Sequence, residues 1–275
     1  MSNLWPRVTR ERPCPICKKW DWCCRFGERK MLCMRVSSNH PAADGGFYHD
    51  YNGERPVYVG KPRIAPRRIN VAEVAKSFNS TSIDTLARQL GVSVQSLEAL
   101  EAAWSPKEQA WVFPMVNGAG EVVGFRTRYN DGRKLAIIGS QGGLFIPDIE
   151  PEDIAYLPEG PTDTAALLTM GFYAIGRPSC NSGAEFLRAA LKRLKIHRVV
   201  VVADNDEEKE RPNGTKWRPG LDGARKLKKD LGLMSVLWMP PNPVKDARSL
   251  LNKAGIDAAR YIISDSIKSK CWTRV

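Results

Sequence analysis

Residues 198–206 read Arg-Val-Val-Val-Val-Ala-Asp-Asn-Asp. An unbroken run of β-branched residues favours a strand, and the lack of polar alternation puts that strand in the interior. No other stretch limits the fold as tightly, and the segments around it agree. From residue 154 onward, IAYL, FYAIG, RVVVVAD and MSVLWM read as strands. TDTAALLTM, GAEFLRAALKRL, LDGARKLKKDL and DARSLLNKAG read as the helices between and after them. This βαβαβαβα order predicts a mostly parallel sheet with helices on both faces.

In such sheets the functional crevice lies beyond the carboxyl ends of the strands. The valine strand ends there in Asp204, Asn205 and Asp206. Glu159 follows IAYLP, and the pair Lys245-Asp246 follows VLWMPPNPV. In extended backbone residues i and i+2 point the same way, so Asp204 and Asp206 are expected to face one site while Asn205 turns to the sheet or a loop. Carboxylates gathered at one edge repel and raise one another's pKa unless a cation neutralises them. Mg²⁺ is a hard, oxygen-seeking ion suited to that role.

Upstream the pattern changes. WVFPMV, VVGFRTRY and LAIIG, separated by NGAGE and NDGRK, predict three antiparallel strands. Arg126 and Arg128 then share a strand face, and Lys134 follows the second turn. Ser82 and Ser93 are expected to cap helices over IDTLARQL and VQSLEALEAAW, with Gly91 ending the first. That pair reads as a plain helical hairpin. Residues 56–70 carry three prolines and several basic side chains and read as a linker.

The first 55 residues are of another kind. Five of the seven cysteines lie between 14 and 33. In a cytoplasmic chain, which the lack of a signal core and of any long apolar run suggests, such a cluster binds metal more often than it forms disulfides. Cys14 and Cys17 have the C-x₂-C knuckle spacing, and zinc needs two more ligands from Cys23, Cys24, Cys33, His40 and His49. Cys180 and Cys271 have no partners in sequence and read as structural. Residues 1–70 hold 14 Lys/Arg against 6 Asp/Glu, and the remainder 28 against 24, so the basic excess sits with the cysteines. Such an excess suits a polyanion, most simply nucleic acid.

EGPTD (159–163), VVVVADND (199–206) and VKD (244–246) together resemble the Toprim domain shared by primases, topoisomerases and some nucleases. The Lys-Asp pair resembles the primase branch, particularly bacteriophage primase-helicases. Residues 111–147 are similar to the half of a primase core that precedes Toprim, and CPICKKWDWC with the later GGFYH to the zinc-binding head before some phage-type cores. The resemblance implies the following division: a small β-rich zinc domain (1–55), a linker (56–70), an α+β middle segment (71–150) and a C-terminal Rossmannoid α/β domain (151–275). It implies Cys23 and Cys33 as the further zinc ligands. Glu159 would be a general acid/base or metal ligand, Asp204 and Asp206 would bind Mg²⁺ or Mn²⁺, and Asp246 and Asp163 would be further site carboxylates. Arg126, Arg128, Lys134 and Lys245 would hold the phosphates of nucleoside triphosphates or template.

The activity so implied is primer synthesis on single-stranded DNA. A metal-dependent nuclease and a non-catalytic DNA-binding replication factor are the alternatives. A topoisomerase fits less well, because no domain carrying a tyrosine nucleophile is evident. No G-x-x-x-x-G-K-[ST] loop is present, so a helicase is expected as a separate partner. The stretch 207–220 is longer than a minimal Toprim fold needs. It offers Lys209, Arg211, Lys216, Arg218 and Trp217 to nucleic acid, or is an idle insertion.

Overall fold

The structure is a computed structural model that describes residues 6–26, 30–42, 46–50, 70, 74, 83–179, 183–210, 214–231, 234–270 and 272–274. The expected linker, Asn70 apart, and Ser82, Cys180, Arg211 and Cys271 lie outside them. The chain divides into two compact units, Met1–Ile64 and Ala65–Val275.

In the first unit β1 (Cys24–Phe26), β2 (Lys30–Cys33) and β3 (Phe47–Asp50) form an antiparallel sheet in that order. Its buried cluster is Val8, Cys14, Cys23, Met31 and Cys33. Burial of a full-sized apolar side chain contributes about 1.5–3 kcal/mol. Three of these five are thiols, so among the described residues of this unit apolar burial is small.

The second unit opens with α1 (Asp84–Leu90) and α2 (Val94–Ala99). Gly91 ends α1 in the left-handed conformation at φ 69°, where a side chain would be strained. Ser93 caps α2, accepting from the Ser96 N–H at 3.2 Å. The start of α1 is Ile83, with no side-chain cap. The helix expected to run on to Trp104 stops at Ala99. Glu101 takes φ 50°, and β4 (Ala103–Ser105) folds back on β5 (Ala110–Val116), setting Trp104 edge-on to Trp111 at 5.4 Å. Aromatic pairing outweighs helix propensity there. β6 (Val122–Arg128) and β7 (Lys134–Ala136) complete a sheet of order β4-β5-β6-β7.

The second sheet has order β13-β12-β9-β8, built from β8 (Ile154–Leu157), β9 (Arg198–Val202), β12 (Met234–Trp238) and β13 (Thr273–Arg274). β8, β9 and β12 are parallel and β13 is antiparallel. The valine run shows why its sequence has no alternation. Val200 and Val202 pack into one cluster with α3 (Gly160–Thr169), α6 (Ala247–Ala254) and α7 (Ile256–Lys268). Val199, Val201 and Ala203 pack into the other with α4 (Ala184–Arg193) and α5 (Pro219–Leu231). Helices thus cover both faces, as the strand–helix alternation predicted. FYAIG, expected as a strand, makes only single bridges: Ala174 parallel to Tyr156, and Gly176 antiparallel to Phe145. With the bridge Val116–Leu144 these link the antiparallel sheet to the parallel one. α7 and β13 follow the last element expected from sequence. The 207–220 stretch folds as a short hairpin, β10 (Lys209–Glu210) against β11 (Lys216–Trp217), and α5 begins within it.

Candidate functional site

In the first unit the sulfurs of Cys14, Cys17, Cys23 and Cys33 all lie within 4.8 Å of one another. A tetrahedral zinc with Zn–S bonds near 2.3 Å sets its sulfurs roughly 3.8 Å apart. Cys17 to Cys23 is 3.6 Å and Cys23 to Cys33 is 4.0 Å, so the set fits the ion. The Met34 N–H donates to Cys23 at 3.5 Å and the Val36 N–H to Cys33 at 3.3 Å, the kind of second layer that steadies thiolates. A hydrogen bond from Cys33 lowers the Cys14 thiol to about 4 and pushes Cys33 itself up; burial raises Cys23 to about 11. Cys14, Cys23 and Cys33 thus cannot all ionise together without a cation between them. Cys24, on β1, stands outside the group, and His49 hydrogen-bonds the Val36 carbonyl at 2.9 Å from within β3. His40 is likewise not a member.

In the second unit the parallel register brings strand ends together. Leu157 pairs with Val201, so Glu159 and Asp204 emerge side by side two residues beyond their strands. The Asn205 N–H donates to the Lys245 carbonyl at 2.7 Å, drawing the segment after β12 to the same edge. The result is a cavity of about 180 Å³ walled by Glu159, Asp163, Asp204, Lys245 and Asp246 on the parallel-sheet side, with Arg126 and Lys134 from the antiparallel sheet. Phe145 and Pro178 close it.

The carboxylates are not equivalent. Burial, then the charges of Asp163, Glu159, Asp246 and Asp206, push Asp204 up to about 8. Asp163 is raised to about 6 by burial and by Asp246, although the Arg248 N–H donates to its Oδ1 at 3.0 Å. Asp246 caps α6, accepting from the Ser249 N–H at 2.7 Å. Asp206 acts on Asp204 through its charge but does not line the cavity. Its Oδ2 accepts from the Gly220 N–H at 3.2 Å in the first turn of α5. A helix N-terminus favours a carboxylate, and the close approach of α5 draws this one aside. Asn205 turns to the loop, donating to Asn242 at 2.6 Å and to the Val244 carbonyl at 3.0 Å while accepting from Arg218. Among the described residues the carboxylates do not by themselves form a group of three that could hold a metal ion.

Arg128 lies outside the cavity wall, in the field of Arg248 and Asp163. Arg177 was not singled out by its sequence context. It is 1% exposed, and it donates to the Leu157 carbonyl at 3.2 Å and the Val202 carbonyl at 3.0 Å, tying together the two strand ends that carry Glu159 and Asp204. The strand-end rule applied to FYAIGR could have found it. Arg248 had no such signal, because its position depends on how α6 docks on α3.

No family model matches the chain, and no curated protein matches it in sequence. Solved structures do match in fold. The DnaG primase catalytic domain bound to ssDNA is similar at a TM-score of 0.51 and 14% identity, over 69% of this chain and 71% of that one. The Aquifex aeolicus primase, comprising zinc-binding and RNA polymerase domains, is similar at a TM-score of 0.54 and 13% identity. That match covers 70% of this chain and 59% of the other. The chain therefore has a primase-like fold: a mixed α/β core with a parallel sheet, and a four-cysteine cluster near its N-terminus.

Proposed function

We propose that the protein is a primase-like nucleotidyltransferase that makes short primers on single-stranded DNA. The observation that carries this reading is the cleft in which acids from three strand ends face Arg126 and Lys134. Acids alone would suit many metal enzymes. Acids opposed by cations within one small cavity suit a polyphosphate substrate, whose charge both must accommodate. Glu159, Asp204 and Asp246 would hold Mg²⁺ or Mn²⁺, with Asp206 bracing the loop through its hydrogen bond from the first turn of α5. When bound, such ions supply the Lewis acidity and template for in-line displacement at a phosphorus. Arg126 and Lys134 hold the triphosphate, Lys245 adds charge at the rim, and Phe145 and Pro178 limit water. Asp163, buried and half-protonated near pH 6, tunes the charge of the cluster.

The cysteine-rich unit would hold zinc and bind template. Trp20 and Trp22 are 49% and 68% exposed, with Arg10 and Arg35 over their rings at 5.3 and 5.7 Å. Exposed indoles beside arginines suit stacked bases and their phosphates. The DnaG catalytic domain among the structural neighbours was solved with ssDNA. A separate helicase would supply the single-stranded template.

The test is priming on a single-stranded circle with labelled nucleoside triphosphates and Mn²⁺ or Mg²⁺. Short labelled products that vanish in Asp204→Asn and Glu159→Gln are expected. Nicking of the circle without synthesis would favour a nuclease instead. Metal-dependent DNA binding with neither outcome would favour a non-catalytic replication factor.

A further inference from the structure

Arg248 sits at the second position of α6. Its backbone N–H is engaged by Asp163, so any side chain there would leave that bond in place. The side chain itself is unaccounted for. Its Nε is buried and has no hydrogen-bond partner. A buried unpaired donor costs about 1–3 kcal/mol, and more when charged.

Arg128 on β6 is half-buried, and its register partner Lys134 lines the cavity together with Asp163. Burial and the charge of Arg248 both act against its own. Among the described residues neither guanidinium makes a side-chain hydrogen bond or an ion pair. Lys134 stands opposite Arg128 in the β6–β7 register, adding a third cation. Asp163 offsets the charge of Arg128, and its Oδ1 is already taken by the Arg248 backbone. Two cations whose charges act on one another, one with a buried N–H that has no partner, form an arrangement that folding alone would not favour. An anion with several oxygens reverses the balance, because each guanidinium offers a planar fork of donors.

The geometry points to a phosphate-binding fork made by Arg128 and Arg248 beside the acidic cleft, taking a phosphoryl group of a nucleotide. This rests on the nucleotidyl-transfer reading for the identity of the ligand, but not for its detection. Two sources share the chemistry: the triphosphate of a substrate and the backbone of the template.

Binding can be measured on the full, zinc-loaded chain without turnover. The probes are a fluorescent nucleoside triphosphate, the corresponding nucleoside, and a labelled single-stranded oligonucleotide. Arg248→Ala is expected to weaken one phosphate-bearing probe roughly 10- to 100-fold, the range for one charge-assisted contact. Nucleoside affinity should not change, and Arg248→Lys should restore part of the loss. Because an unpaired cation is removed, the melting temperature should hold or rise. If the alanine variant instead melts lower, Arg248→Gln, with similar length and no charge, carries the same expectation. Loss confined to the triphosphate assigns the fork to substrate, and loss confined to the oligonucleotide assigns it to template. Unchanged affinity for both in Arg248→Ala and Arg128→Ala overturns the fork. A protein that binds through the fork but never primes would overturn the proposed function alone. One that primes with binding indifferent to Arg248 would overturn the fork alone.

Discussion

At the scale of single residues the site is a contest between burial and charge. Asp204 titrates near 8 instead of its ordinary 3.8, so between these values the native chain holds a proton that the unfolded chain has lost. The sign follows: without divalent metal, stability falls as pH rises from about 4 through about 8. Asp204→Asn removes its share of that dependence, while Asp163, raised to about 6, keeps its own. Melting temperature followed against pH, with zinc retained and magnesium omitted, should slope downward in the parent and less steeply in the variant, above all between about 6 and 8. An equal slope in both would show that Asp204 is not the group responsible. Arg177 makes another case, a buried charge that donates to the Leu157 and Val202 carbonyls. Arg177→Met leaves the Leu157 and Val202 carbonyls without that donor and should cost about 1–3 kcal/mol in urea unfolding. Lysine, lacking the fork, should not rescue it.

Among elements, the decisive contact is the first turn of α5 against the Asp204–Asp206 segment. A Cβ on Gly220 would lie 2.5 Å from the Asp204 carbonyl oxygen and 3.0 Å from its Cβ. Neither atom belongs to a flexible side-chain end, so the helix would have to move. Gly220→Ala should destabilise the second unit by about 1–3 kcal/mol, the usual cost of overpacking, and release Asp206 from the helix N-terminus. Calorimetry of the zinc-loaded protein checks this; an unchanged melting temperature would mean the helix yields freely. The same contact explains what could be read beforehand. β9 and the helices around it were legible because burial on two faces leaves a compositional mark. The end of α2 was not, because Trp104 meets Trp111 only once β4 has folded back.

Across the whole molecule the two units depend on different forces. Ala65–Val275 has two extensive apolar clusters on either side of its sheet. Among its described residues Met1–Ile64 has one small cluster of five buried residues, three of them cysteines. Removing zinc with a chelator should therefore open the first unit to protease while the second stays resistant and keeps its melting transition. Simultaneous loss of both would show that the units do not fold separately. None of the helices among the described residues is long and apolar enough to cross a membrane.

Periodicity and spacing sufficed for the parallel sheet, for the strand ends that carry Glu159, Asp204 and Asp246, and for the Cys14–Cys17 knuckle. These are local properties, set by what a segment must bury and by how many residues separate two side chains. Spacing alone left Cys23 and Cys24 as rivals, since adjacent residues of an extended chain point oppositely and only the folded sheet shows which side holds Cys14 and Cys33. Asp206 turned to a helix end, Arg177 came to join two strands, and the Arg248 N–H came to bond Asp163. Each depends on where an element distant in the chain comes to rest, and side-chain packing between elements settles that only when the whole unit closes.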